Sequence, residues 1–360
     1  MRPCFFSASS PRPDEPVRVI TPLERSSVLS ADRAPNSTVL VLTLGGTIAM
    51  TRTAAAAGVT PTLTGSDLVS AVPGLQDVAE ATVEDFRQMP GASLDVDDIV
   101  SLVGRLQQAD GEGVDGVVVT QGTDTLEETA FLTNLYYQGT TPVVFTGAMR
   151  NAATAGADGP ANLLAAVQTA VSAEARGTGV LVVLGDEIHA ARHVRKMHTT
   201  SPGAFNSPGT GPLGHVVEGA ARFHRSLSPT APVPLPIGGL PQVEIVAASL
   251  GSSGTLLEGL ADKVAGLVVA AFGAGHVPET WCSRLEALAA VMPVVLASRI
   301  GTGPVLTSTY AFPGSESDLL ARGLISAGAL DPYKARLLLI AHVAAGTPHP
   351  EIAKAFLDYS

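Results

Sequence analysis

Short, largely apolar runs rich in β-branched residues alternate along this chain with longer segments of helical periodicity. This alternation constrains the fold more than any other feature. The runs cover residues 38–43, 117–120, 142–146 and 180–184, and segments 95–107, 125–137 and 160–175 lie between them. In the second segment Leu126, Ala130, Phe131, Leu132, Leu135 and Tyr136 form a broad apolar stripe. Strands apolar on both faces must be covered on both, so the pattern predicts a parallel-rich, doubly wound α/β layer. The pattern breaks after Phe223. Residues 226–241 hold five prolines and two glycines without periodicity, as a linker between domains does. A second αβ series follows, with strands at 243–248, 266–271 and 293–297 and helices at 279–291, 316–327, 332–345 and 350–359. The expected organisation is a tail (1–37), a larger first α/β domain (38–225), a linker (226–241) and a smaller α/β domain (242–360).

Composition narrows the function. The chain has 33 acidic and 22 basic residues, a net charge of −11, which disfavours nucleic acid and anionic membranes as partners. No run of about 18 apolar residues is present, as a membrane span would need. Two cysteines, Cys4 and Cys282, make neither a disulfide framework nor a zinc cluster, and no metal or cofactor is expected. The first 37 residues lack the apolar stretch of a signal peptide, so the expected compartment is the cytoplasm.

Ligands of open parallel sheets bind beyond the carboxyl ends of the strands, so the loops there come first. After the first strand stands Leu44-Gly45-Gly46-Thr47-Ile48-Ala49, whose paired glycines let the backbone approach a ligand closely. After the 117–120 strand stands Gln121-Gly122-Thr123-Asp124-Thr125, where a helix begins and backbone N–H groups are open. The third loop holds Gly147-Ala148-Met149-Arg150 and then Ala157-Asp158-Gly159-Pro160, a helix entry with proline in the first turn. Thr125 and Glu128 have the spacing of a capping box. Neither a P-loop nor G-x-G-x-x-G occurs, which argues against a nucleotide.

Together, Gly45-Gly46-Thr47-Ile48-Ala49 and the run from Gly122 to Ala130 closely resemble the two signature motifs of the bacterial-type L-asparaginase family. Gly147-Ala-Met-Arg150, Ala157-Asp-Gly-Pro160, Gly211-Pro-Leu-Gly214 and the stretch from Gly328 to Arg336 resemble it as well, so the likeness runs from Thr38 to the C-terminus. It implies cofactor-free hydrolysis of a small amino-acid amide, asparagine and often more slowly glutamine, by way of an acyl-enzyme. By the same resemblance Thr47 is the nucleophile, Thr123 the second catalytic threonine, and Asp124 the grip on the substrate's α-ammonium. Gly122 and Thr123 are backbone donors, and Ser93 binds the substrate carboxylate. A homotetramer of close dimers is implied, with His276 and Tyr310 reaching a neighbouring subunit's site.

The chain also departs from the family pattern. Leu44 and Gln121 stand where threonine and histidine are usual, and no tyrosine lies between Thr47 and Leu68. Counting from Ala157 along the helix puts Ala173 where relatives carry a lysine beside the second threonine. The expectation is a water-filled gap there, with Arg176 too basic to act and Lys196, the one lysine of the first domain, as the alternative. The competing functions are an amidase on glutamine or another small amide and a degenerate member that binds an amino acid with little turnover.

Overall fold

The computed structural model describes residues 37–46, 50–52, 59–61, 64–227, 230–236 and 238–359. The expected tail, apart from Ser37, lies outside the described residues. Strand β1 (Thr38–Thr43) is followed by a short antiparallel pair, β2 (Met50–Arg52) and β3 (Val59–Pro61), by helix α1 (Gly65–Ser70) and by β4 (Glu80–Asp85). Next come α2 (Val96–Glu112), β5 (Gly116–Thr120), α3 (Leu126–Tyr136), β6 (Val143–Thr146), α4 (Gly159–Ala170) and β7 (Val180–Leu184). Five short strands close the first domain: β8 (Glu187–Ala190), β9 (Arg195–Lys196), β10 (Phe205–Asn206), β11 (Gly214–Val217) and β12 (Ala220–Phe223). The second domain holds β13 (Val243–Ala247), β14 (Gly266–Ala271), α5 (Cys282–Ala289), β15 (Val294–Ser298), α6 (Glu316–Ala321), β16 (Ile325–Ser326), α7 (Pro332–Ala344) and α8 (His349–Leu357).

The large sheet has the order β12-β11-β8-β7-β6-β5-β1-β4. From β4 to β7 all neighbours are parallel, and β8, β11 and β12 extend that sheet antiparallel. The chain leaves β1 for β4 on one side and returns to β5 on the other. This reversal opens a crevice at the carboxyl ends of β1 and β5, between the loops singled out by their glycines. The second sheet, β13-β14-β15-β16, is parallel throughout.

Both faces of the large sheet are covered, as the apolar strands require. Val39, Val41, Val118 and Val144 pack against Leu163, Ala166, Val167 and Ala170 of α4. Leu40, Leu42, Val117, Val119 and Phe145 face Leu102 and Leu106 of α2 and Leu126 and Ala130 of α3. Helix α2 starts at a reciprocal cap between Asp95 and Asp98 and stops at Gly113 in the left-handed region, φ +80°. Helix α3 is buried on two sides: its Phe131, Leu132, Leu135 and Tyr136 pack with Leu337 and Leu338 of α7 and Val268 and Val295 of the second sheet. Its broad stripe is therefore the core shared by the two domains. Val233, in the proline-rich crossing, donates its N–H to the Leu135 carbonyl at 2.7 Å.

Several elements differ from the sequence expectation. The helix expected to reach residue 327 ends at Ala321, because Gly323 turns at φ +93° and Ile325 then pairs with β15. The helix expected to reach 175 ends at Ala170 and is followed by a separate turn, Ala173–Ala175. Strand β4 reads as polar because Glu80, Glu84 and Asp85 lie on a sheet edge, where charge is tolerated and useful.

Candidate active site

Three loops meet at the crevice through three glycines. Gly45 and Gly46 both lie in the left-handed region, φ +90° and +96°. A Cβ on Gly46 would fall 2.2 Å from the Gly122 nitrogen, and one on Gly122 would fall 3.2 Å from the Gly91 nitrogen. Any side chain at Gly46 would force the loops after β1 and β5 apart. Leu44 is fully buried, in core contact, and its N–H donates to the Thr120 carbonyl at 2.9 Å. Thr47 follows Gly46 directly in sequence and lies outside the described residues.

The loop after β5 is held rigidly from below. Gln121 is completely buried, and its Nε2 donates to Thr125 Oγ1 and Thr129 Oγ1, each at 2.9 Å. Thr125 Oγ1 in turn donates to the Gly91 carbonyl at 2.9 Å. The hydroxyl is thereby committed to the neighbouring loop, so the expected capping box with Glu128 does not form. Among the described residues the N–H groups of Gly122, Thr123 and Asp124 have no hydrogen-bond acceptor.

On this loop Thr123 is buried, while the Asp124 side chain is 71% exposed. The amine of Lys196 reaches both: its Nζ lies 2.9 Å from Thr123 Oγ1 and 2.9 Å from Asp124 Oδ1. The Lys196 side chain is 16% exposed. This overturns the expectation of a water-filled gap at Ala173. Ala173 is exposed on the turn after α4, close to Arg176, whose guanidinium lies 3.7 Å from Asp115 just before β5. Ala173 is therefore near the amino end of β5, whereas Thr123 follows the carboxyl end. The scarcity of lysine is the signal in the sequence that points to Lys196; helical spacing from Ala157 does not extend to residue 173, because α4 stops at Ala170.

The remaining candidates fall into two places. Ser93 is exposed on a single turn, Gly91–Ser93, of which Gly91 is the residue set against Gly122. His276 and Tyr310 come together in the second domain, rings edge to face at 4.8 Å, with Phe312 at 5.0 Å from the His276 ring. Glu316 is fully buried beneath them. Its carboxylate lies 3.1 Å from His276 Nε2 and accepts the N–H groups of Thr309 and Tyr310. Although burial opposes it, these donors hold the Glu316 carboxyl below its ordinary range. Among the described residues no hydrogen bond or ring contact joins this group to Thr123 or Asp124 of the same chain.

Two residues unforeseen from sequence frame Lys196. Glu127 of α3, buried, accepts the Lys196 backbone N–H, and burial raises its carboxyl above the usual value. Lys334 of α7, 1% exposed, donates to the Val194 carbonyl, and burial lowers its amine to about 8. Among the described residues no group of three or more His, Cys, Asp or Glu is arranged to hold a metal, and no helix is long and apolar enough to cross a membrane.

Comparison with known proteins agrees with this architecture. Residues 38–229 match the family described as Asparaginase, N-terminal, and residues 242–356 match the Glutaminase/Asparaginase C-terminal domain. A "Probable L-asparaginase" of Deinococcus radiodurans is 38% identical over 87% of this chain and 94% of its own length. A "Glutaminase-asparaginase" of Pseudomonas fluorescens biotype A is 33% identical over 89% and 90%. The crystal structure of a "Probable Cytoplasmic L-asparaginase" from Campylobacter jejuni superposes with a TM-score of 0.80 at 34% identity, covering 89% of this chain and 99% of that one. By both of its domains, and by the loops that meet at its sheet reversal, this chain belongs to the bacterial-type L-asparaginase family of amidohydrolases.

Proposed function

We propose that the enzyme hydrolyses L-asparagine to L-aspartate and ammonia, with Thr47 as nucleophile and Thr123, Lys196 and Asp124 as a second catalytic group. The observation that carries this reading is the Lys196 amine at 2.9 Å from both Thr123 Oγ1 and Asp124 Oδ1. In the first step Thr47 Oγ bonds to the amide carbon, and the carbonyl π pair moves onto oxygen. The open N–H groups of Gly122 and Thr123 are suited to that oxyanion. The proton lost by Thr47 goes to the amide nitrogen, which leaves as ammonia, and an ester remains. Thr123 then orients the water that attacks the ester. The proton that water loses is relayed through Thr123 and Lys196 to Thr47 Oγ, which leaves as the ester bond breaks. The exposed Asp124 carboxylate matches the α-ammonium of the substrate. A degenerate, merely binding protein is disfavoured, because the amine is still directed at Thr123.

Ammonia release from asparagine, glutamine and a few other small amides tests this. Glutamine is included because relatives carry glutaminase in their names. Measurable turnover of asparagine, with Thr47→Ala and Thr123→Ala each lowering it by several orders of magnitude, is the expected result. Wild type inactive on every amide would overturn the reading, as would Thr47→Ala retaining more than a tenth of the activity.

Assembly and compartment belong to the same proposal. The aromatic pair of Tyr310 and Phe312, 43% and 47% exposed around His276, suits a contribution to a second copy's site within a homotetramer. The likeness to the Campylobacter jejuni protein supports the cytoplasm. Light scattering and cell fractionation test the two points.

A further inference from the structure

Strand β9 carries Lys196 yet is only two residues long, and among the described residues it pairs only with the equally short β10. Two peptide units cannot hold a long side chain to a fixed height, so β9 must be fixed from outside. Three consecutive residues are gripped by neighbouring helices. The carbonyl of Val194 accepts from Lys334 Nζ. The Arg195 guanidinium lies 3.8 Å from the Asp331 carboxylate, which also caps α7 by accepting the N–H groups of Tyr333 and Lys334 at 2.9 and 3.2 Å. The backbone N–H of Lys196 donates to Glu127. Glu127 stands on α3, three residues after Asp124, so one helix start carries both the reacting loop and an anchor of β9.

A buried ammonium is costly unless paired, and Lys334 is held inside by the opposite charges around it. Those charges are Asp331 at the start of its own helix and Glu127 and Glu128 on α3, with Arg195 on β9 as a like charge; His189 of β8 and His193 also face it, and burial keeps both rings neutral to about pH 4. Resting on the reading that Lys196 serves Thr123, we infer that Lys334 is a positioning residue for catalysis. By holding the Val194 carbonyl and balancing Glu127, it sets the Lys196 amine against Thr123 and ties docking of the second domain to reactivity in the first. Burial lowers the Lys334 amine to about 8 and raises Glu127, so the balance between them changes within an accessible pH range. Above pH ~8 Lys334 loses its charge, Glu127 is no longer offset, and the hold on β9 weakens.

The test measures kcat and KM for asparagine from pH 6 to 10 on wild type, Lys334→Met, Glu127→Gln and Lys196→Met, with near-UV circular dichroism and melting temperature for each. Lys334→Met should lower kcat about 10–100-fold, the cost of misplacing a catalytic group by about an ångström, while KM changes less than threefold. The fall of kcat above pH ~8 in wild type should be lost or displaced in Lys334→Met. Glu127→Gln, which keeps the acceptor and removes the charge, should move the same limb with a smaller loss. If Lys334→Met does not fold, Glu127→Gln decides on its own. Lys334→Met or Glu127→Gln folded, with wild-type kcat and pH profile while Lys196→Met is crippled, would overturn the inference. Full activity in Lys196→Met would instead refute the catalytic reading beneath it.

Discussion

Lys196 and Thr123 are 73 positions apart in sequence, and the amine of one lies 2.9 Å from the hydroxyl of the other. Their meeting depends on β5 and β9 being brought to the same end of the large sheet. It gives the second threonine a hydrogen-bond donor, itself paired with Asp124, that neither neighbour in sequence supplies.

Replacing that amine should be costly and selective. Lys196→Met should lower kcat about 10²–10⁴-fold, the usual contribution of general acid–base help, with little change in melting temperature. Ala173→Lys should leave kcat and its pH profile unaltered, since the new amine would sit on an exposed turn at the other end of the sheet. Steady-state kinetics on both variants checks this, and a faster Ala173→Lys enzyme would contradict the assignment.

Gly46→Ala should damage activity and stability together. Its Cβ would meet the Gly122 nitrogen at 2.2 Å, from a backbone at φ +96° that alanine rarely adopts. The loops must part, so kcat should fall at least 10²-fold, with a loss of stability of about 1–3 kcal/mol. Denaturant titration alongside kinetics measures both.

Gln121→Leu should destabilise the site without touching substrate. It leaves Thr129 Oγ1 without the donor it now has and removes one of two partners of Thr125 Oγ1. A loss of about 1–3 kcal/mol is expected for buried hydroxyls stripped of a partner. Equal unfolding midpoints for variant and wild type would show that the hydroxyls find other partners.

Acid should unfold the protein partly through His189. The ring is fully buried, with Nδ1 2.9 Å from Ser207 Oγ, and burial pushes its pKa down to about 4 even though a Glu187 oxygen lies 3.2 Å from Nε2. An unfolded histidine takes up its proton near pH 6.5. Between about 6.5 and 4 the unfolded chain therefore binds more protons, and stability falls as pH drops through that window. The shift corresponds to about 3 kcal/mol for this one group. Unfolding free energies at pH 7 and pH 4.5 should differ less in His189→Gln than in wild type; parallel losses in the two proteins would exclude His189 as a cause.

What the sequence determined by itself is whatever near neighbours dictate. Hydrophobic period set β1, β5, β6, β7 and helices α2, α3 and α4, because strand and helix faces are read off a few adjacent residues. Paired glycines marked the turn at Gly45 and Gly46, since the left-handed backbone there is nearly exclusive to glycine. The run from Gly122 to Asp124 was legible for the same local reason, as a loop entering a helix. Tertiary structure decided the rest. Strands β8, β11 and β12 are too short and mixed to carry a period, and they exist because the sheet edge offers them partners, while β9 and β10 pair with each other apart from that sheet. Lys196 reaches Thr123 only after β9 has been folded back over α3, which no local spacing encodes. Lys334 meets the Val194 carbonyl across 140 positions and a domain boundary, because packing α7 against α3 buries a charge that must find its partners there.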